Sequence, residues 1–522
     1  MLVKVFGAAV RGIDAIPVTI EARADVGIGF TVVGLPDASV KESQERVLSS
    51  LKQHGYDIPR RKIVINMAPA DVKKEGAAYD LPLAVAILAA SERIEAGSLD
   101  KYLVMGELSL DGSVCPVKGI LPMAVMARTM GYRGMIVPEV NATEAAVVNR
   151  LQVYGVKNLA EAIAVVTDAP DAIAPTEVDT RAEFEASCGV FDCDFADVKG
   201  QENVKRAFEV ACAGGHNILM VGPPGSGKSM MAKRVPSILP PFTLGEALET
   251  TKIHSVAGRL RRGARLMTER PFRSPHHTIS PVALVGGGSN PMPGEISLAH
   301  NGVLFLDEFP EFNRSVLEVM RQPLEDRYIS ISRAKYSIDY PASFMLVASM
   351  NPCPCGYYNH PTRECTCDAG AVRKYLGRIS GPLIDRIDIQ VEIQPVDFDD
   401  MATACTGESS ANIRERVAAA RLIQTARFSK HENVHCNAQM GTKHINEYAR
   451  PDKAGFDLLR NAMMKFDMSA RAYDRILRVA RTIADLDRSE TVGAEHVSEA
   501  ISYRNLDRSS WGGGGSRTMP FS

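Results

Sequence analysis

The sequence predicts a multidomain α/β protein with three parts: an N-terminal α+β domain, a phosphate-loop α/β domain on a parallel sheet, and an all-helical C-terminal lid. Three observations predict it. A glycine-rich loop, Gly222-Pro223-Pro224-Gly225-Ser226-Gly227-Lys228-Ser229, follows the apolar run Ile218–Val221 and precedes a helical pattern. Two later apolar runs read as strands with polar ends, Gly302–Glu308 closing on Asp307-Glu308 and Phe344–Asn351 closing on Asn351. Residues 407–507 are helical in pattern throughout and rich in Ala, Arg, Leu and Ile. The chain's 522 residues are too many for one hydrophobic core.

Taken in order, residues 1–166 alternate β-branched runs with helical patterns. Strands are expected at Val3–Val10, Ile16–Ala22, Phe30–Gly34 and Ile63–Met67, and helices at Ala38–His54, Tyr79–Ala90 and Gly119–Met130. The acidic, proline-bearing stretch 168–177 marks 167–189 as a linker. The phosphate-loop domain then spans 190–396 and the lid 407–507. The tail 508–522, with four glycines after Trp511, is flexible by composition. Hydrophobic and charged fractions of 45% and 23% are those of an ordinary globular protein. The longest apolar run, Leu81–Ala90, is too short to span a bilayer, and Lys4 and Arg11 bracket too few residues for a signal core. A cytoplasmic protein without a membrane partner is the expectation. The net charge of −2 neither favours nor excludes nucleic acid.

The loop fits G-x-x-x-x-G-K-[ST], and each residue type has a reason. Glycines let backbone N–H groups turn inward around a polyphosphate, and the helix N-terminus adds partial positive charge. Lys228 can reach the β- and γ-phosphates, and the Ser229 hydroxyl can ligate Mg²⁺. Asp307 would hold the same Mg²⁺, Glu308 would polarise the attacking water, and Asn351 could orient that water. Arg386, in Gly381-Pro-Leu-Ile-Asp-Arg-Ile-Asp388, comes too late in the sheet to serve its own phosphates easily. It suits an arginine finger offered to a neighbouring subunit; a surface salt bridge to Asp385 or Asp388 is the plainer reading.

These motifs, with Ser469-Ala-Arg471 in the lid, resemble an AAA+ ATPase. Three stretches narrow the resemblance to the magnesium-chelatase-like branch: Arg270-Pro-Phe-Arg-Ser-Pro-His-His-Thr-Ile-Ser280, Pro293-Gly-Glu-Ile-Ser-Leu-Ala-His-Asn-Gly302 and Arg478-Val-Ala-Arg-Thr-Ile-Ala-Asp-Leu486. Within that branch the chain is similar to the YifB/ComM family, to about residue 507. The resemblance implies that Asn351 is sensor 1, Arg386 the finger and Arg471 sensor 2, in a hexameric ring with sites between subunits. It further implies a DNA helicase driving branch migration in natural transformation. Lys74–Asp80 and Met105–Leu121 look like the signature stretches of the Lon protease domain, a ribosomal S5 domain 2-like fold that uses a Ser–Lys dyad. Where that pattern wants the nucleophile the chain has Ala77, Ala78 and Tyr79, and where it wants the lysine, Leu121. An active peptidase is therefore not expected.

Two features remain. Cys353-Pro-Cys355 and Cys365-Thr-Cys367 could close a tetrahedral zinc site; free thiols or a reversible disulfide pair are the alternatives. Between Lys252 and His277, Lys252, Arg259, Arg261, Arg262, Arg265, Arg270 and Arg273 face only Glu269. This segment reads either as a pore-facing grip on DNA phosphates or as a solvated face whose arginines bind nearby carboxylates. His276 and His277 read as ordinary packing or polar surface. The expected function is an ATP-driven motor on single-stranded or branched DNA, with a chelatase-type motor remodelling a partner protein as the alternative.

Overall fold

The computed structural model of the chain describes residues 2–56, 61–95, 97–187, 191–260, 265–288, 291–333, 336–358, 360, 362–395, 407–431, 434–466 and 468–504. Arg261 and Arg262 of the basic segment, and the tail 508–522, lie outside the described residues.

The N-terminal sheet starts as a hairpin. β1 (Leu2–Arg11) pairs antiparallel with β2 (Asp14–Val26), Arg11 opposite Asp14, so Gly12-Ile13 is the whole turn. Gly12 supplies the left-handed φ of +65° that so tight a turn requires. β3 (Gly29–Val33) and β4 (Arg61–Ala68) extend one side of the sheet; β5 (Tyr102–Val104), β6 (Gly134–Pro138) and β7 (Gln152–Val156) extend the other. The order is β3-β4-β2-β1-β5-β6-β7. Sequence patterning expects only the first four strands. β5 and β6 are buried at every residue, so they carry no alternation to mark them.

Helices α1 (Ala38–Gln53), α2 (Asp80–Ala90) and α3 (Ile120–Thr129) fall within a residue or two of their helical patterns. The Asp37 carboxylate caps α1 by accepting from Val40 N at 2.9 Å. All 11 residues of α2 are buried, which explains an apolar run with no polar face: it is a central core helix. No helix among the described residues is long and apolar enough to cross a membrane. Tyr79 is buried with its hydroxyl donating to Ala8 O at 3.0 Å, and Leu121 is fully buried, so neither position offers a nucleophile or base. The segment after this domain runs back over it. Thr176 N–H donates to Val153 O at 2.7 Å and the Thr180 hydroxyl to Val147 O at 3.1 Å.

The second sheet is wholly parallel. β8 (Ile218–Val221), β9 (Phe272–Arg273), β10 (Val303–Leu306), β13 (Met345–Met350) and β14 (Ile389–Glu392) are arranged β9-β10-β13-β8-β14, with a separate hairpin, β11 (Tyr328–Arg333) and β12 (Tyr336–Pro341), inserted before β13. β8 comes first in the chain yet lies between β13 and β14, so the carboxyl ends of three strands surround the loop that follows it. α4 (Glu202–Gly214), α5 (Lys228–Ile238) and α6 (Leu244–Val256) cover this sheet and its flank.

The C-terminal helices are α7 (Ser410–Arg427), α8 (Thr442–Tyr448), α9 (Lys453–Phe466), α10 (Ala470–Leu486) and α11 (Ala494–Ser502). Ile476, Leu477, Ala480, Ile483 and Ala484 of α10 recur every three or four residues, and they share one core with β8, β13 and β14. The N-terminal domain docks on the second through α3 and α6. Gly119 N–H donates to Ser255 O at 3.2 Å, the Ser255 hydroxyl bonds the buried Glu144 carboxylate, and Leu248 and Leu266 pack on the N-terminal core. Burial pushes the Glu144 carboxyl above its ordinary range.

Candidate nucleotide-binding site

The glycine-rich loop leaves β8 through a narrow gap. Gly222 N–H donates to Met350 O at 3.1 Å, and a Cβ at Gly222 would stand 2.6 Å from Ile393 O. Only glycine passes there. Gly225 and Gly227 take φ of +78° and +85°, and Gly227 leads directly into α5. The buried Lys228 ammonium donates to Gly222 O and Pro223 O, both at 2.8 Å, and reaches Asn351 Oδ1 at 3.3 Å. Burial lowers its pKa while Asp307 and Glu308 oppose that shift. Lysine, loop and Asn351 are thus brought together.

Asp307 and Glu308 follow β10 and part company at once. The Asp307 carboxylate accepts from the Ser229 hydroxyl at 2.6 Å, from Ser349 on its other oxygen, and from Glu308 N–H at 3.1 Å. Ser349 is absent from the sequence reading. It stands in β13 two residues before Asn351, which directly follows the strand, and this two-residue spacing is the signal that could have found it. Glu308 sits in the left-handed region at φ 53°, sparsely populated for a non-glycine residue, and its carboxylate turns away from Asp307 toward solvent. There it meets His277, Oε2 to Nδ1 at 3.5 Å. The His277 ring lies 4.0 Å from that of His276. β9 pairs with β10, so the segment leaving β9 passes the end of the Asp-Glu strand. His277 is therefore a neighbour of the Glu308 carboxylate.

Arg386 and Arg471 are gathered elsewhere. They line a cavity of about 360 Å³ with Arg327, Arg475 and Arg478, next to Asn217, which precedes β8. The phosphate loop follows β8. The two sites are therefore at opposite ends of one strand, on the order of 15 Å apart at about 3.3 Å per residue. Arg386 is almost fully buried. It pairs with Glu325, not with Asp385 or Asp388, donates to Pro382 O, and keeps Nε buried without a partner among the described residues. Arg471 lies 3.7 Å from Asp385 and is mostly exposed. Asp388 belongs to Arg475, at 2.7 Å, and to His216, at 3.5 Å. Burial alone would raise the Asp388 carboxyl, but Arg475 and His216 outweigh it and hold it far below the usual range. Burial, assisted by Arg475, lowers the Arg478 guanidinium to about 10. The result is a basic cavity crowded beyond what its own carboxylates neutralise locally.

The four cysteines converge just after Asn351. Their sulfur atoms all lie within 4.8 Å of one another, with Cys353–Cys355 at 3.3 Å, Cys355–Cys365 at 3.5 Å and Cys353–Cys365 at 3.7 Å. No pair is bonded as a disulfide. The cluster could hold a metal ion. Of the basic segment, Lys252 pairs with Asp14, Arg270 with Glu246 and Arg273 with Glu295, so these three follow the carboxylate-bound alternative. Arg259 is exposed.

Comparison with known proteins matches residues 194–401 to the family described as magnesium chelatase, subunit ChlI, residues 20–141 to subunit ChlI of Mg-chelatase, and residues 407–504 to its C-terminal part. The chain is 42% identical over 505 residues to a protein named YifB from Escherichia coli (strain K12), covering 96% of each. It is 41% identical over 509 residues to Competence protein ComM from Haemophilus influenzae, covering 97% of this chain and 98% of the relative. A shorter likeness, 30% over 161 residues and 27% of each chain, is to Lon protease 2 from Bacillus subtilis.

Proposed function

Because the chain belongs to the YifB/ComM family of magnesium-chelatase-like AAA+ ATPases, we propose that it is an ATP-hydrolysing motor, assembled head to tail into a hexameric ring, that moves DNA strands in branch migration. The residues present fit ATP and Mg²⁺. The Gly225 Cβ direction opens on empty space, and the Ser229 hydroxyl and Asp307 carboxylate converge as the oxygen donors a hard cation needs. Bound there, Mg²⁺ would neutralise phosphate charge as the terminal phosphoryl group departs. Lys228 exchanges loop carbonyls for phosphate oxygens, Asn351 orients the attacking water, and Glu308 accepts its proton once it swings back from His277.

The single observation that carries the ring is the separation of Arg386 and Arg471 from their own phosphate loop. A buried guanidinium with an unpartnered Nε, in a cavity of five arginines, suits the terminal phosphate held by a neighbouring copy. Both arginines then act in trans, as finger and second sensor. The test mixes two dead variants. Arg386→Ala and Lys228→Ala proteins should each lack ATPase activity, and mixtures should recover part of it where an intact loop meets an intact finger. Absence of rescue between subunits shown to exchange would remove the shared site.

DNA as the substrate is supported by the relative named for competence and by the basic segment that retains Arg259 at its surface. Stimulation of ATP turnover by single-stranded or forked DNA is expected; a rate indifferent to DNA would leave the partner-protein remodeller. The N-terminal domain is read as a Lon-type fold without its dyad, a scaffold rather than a peptidase, and the C-terminal helices as the AAA+ lid. The four cysteines are assigned a structural Zn²⁺, because a tetrahedral centre with bonds of about 2.3 Å places its sulfurs roughly 3.8 Å apart, close to the spacings found. The protein is placed in the cytoplasm.

A further inference from the structure

The cysteine cluster is built into the wall of the nucleotide site. Cys353 is buried and stands two residues after Asn351, whose side chain touches Lys228. From Cys353 the chain turns back through Gly356, whose N–H donates to Cys353 O at 3.0 Å and whose φ is +85°. A Cβ at Gly356 would stand 2.5 Å from Pro224 Cδ and 2.8 Å from its Cγ. The backbone of the cluster thus rests directly on the second proline of the phosphate loop. Between Cys353 and Cys367 no described residue belongs to a helix or strand. Such a segment has little besides a cross-link to fix its shape. A backbone donor already serves the cluster, the Cys367 N–H on Cys365 Sγ at 3.4 Å. Donors of this kind stabilise thiolates bound to a metal.

The geometry points to a zinc-governed ATP site: Zn²⁺ on Cys353, Cys355, Cys365 and Cys367 clamps Gly356 against Pro224 and Asn351 against Lys228, so that metal occupancy sets nucleotide affinity. This rests on the zinc and nucleotide readings above and adds the coupling between them. On binding, the metal replaces the protons of the thiols, which pass to solvent, with no change of oxidation state. Four sulfur ligands in tetrahedral array select zinc or iron, and a redox-inert ion suits a clamp.

Full-length protein purified without chelator should contain about one zinc per chain, and Co²⁺ put in its place should give the visible bands of a four-thiolate tetrahedral site. Cys365→Ser should lose the metal. Gly356→Ala should keep its zinc yet bind a non-hydrolysable ATP analogue roughly tenfold more weakly, since the added methyl presses on Pro224 at a left-handed backbone position. Metal-stripped parent protein should weaken to a similar degree and recover on adding Zn²⁺. No zinc, together with no cobalt spectrum, overturns the metal site. Iron with its own visible absorption overturns the identity of the ion. Parent-like affinity both in Gly356→Ala that retains full zinc and in parent protein stripped of its zinc overturns the coupling alone. Full zinc in a parent protein that binds no ATP analogue overturns the nucleotide reading instead.

Discussion

At the scale of single residues, the site separates two carboxylates that are adjacent in sequence. Asp307 is fixed by three donors while Glu308 is held off by a left-handed backbone and His277. Glu308→Gln should therefore bind ATP and Mg²⁺ much as the parent does and lose roughly 100-fold or more in turnover, the usual worth of a positioned base. Steady-state ATPase rates beside analogue binding check this; undiminished turnover would place the base elsewhere. Ser349→Ala should act differently. It removes one donor from Asp307, so the Mg²⁺ concentration for half-maximal ATPase should rise by about tenfold. Affinity for nucleotide without metal should stay unchanged. The loop spacing picks out Lys228 and Ser229, the acidic end of a separate apolar run picks out Asp307 and Glu308, and the structure brings Ser229 to 2.6 Å from Asp307. Ser349 escapes notice, and His277 reads as ordinary packing or polar surface, because a serine inside a strand, or a histidine pair in a loop, has many ordinary reasons to be there.

At the scale of elements, α10 is the joint between the parallel sheet and the C-terminal helices. Arg475 and Thr482 on this helix reach Asp388 and His216, at 2.7 and 2.8 Å, beneath the amino ends of β8 and β14. The depressed Asp388 carboxyl makes this joint sensitive to acid in one direction. A carboxylate whose folded pKa is lowered lends stability that is complete above its unfolded value, about 4, and is lost as pH falls below it. Asp388→Asn should leave Arg475 and its neighbours without their counter-charge and cost about 3–5 kcal/mol at pH 7. The variant should also lose less on acidification than the parent does. Denaturant melts at pH 7 and at about pH 2, inside the window where the contribution is lost, test both statements. Helical periodicity announces α10 clearly, yet its partner lies 87 residues upstream. Local pattern shows which face is apolar, never which distant carboxylate a given arginine will choose. For the same reason the plain reading of Arg386 named Asp385 or Asp388, where the fold supplies Glu325.

At the scale of the whole molecule, the basic segment is less available than its composition suggests, since Lys252, Arg270 and Arg273 are tied to carboxylates. The DNA reading then rests more heavily on Arg259, which is exposed, and on Arg261 and Arg262. Replacing Arg261 and Arg262 by Ala should weaken oligonucleotide binding for all sequences alike and flatten its log–log salt slope by about 0.7 per lost phosphate contact. Anisotropy across a salt series measures it, and an unaltered slope would move the strand path to another surface. One consequence of the two-ended sheet reaches further. A contact that joins the carboxyl edge of one copy to the amino edge of the next is heterologous, so it admits no two-fold axis between them. Any closed assembly built from it has two unlike rims, the same hand at every junction, and an inherent sense of direction. A polymer threaded through such an opening would meet unlike faces on entry and exit, a polarity that only an energy source could turn into net movement.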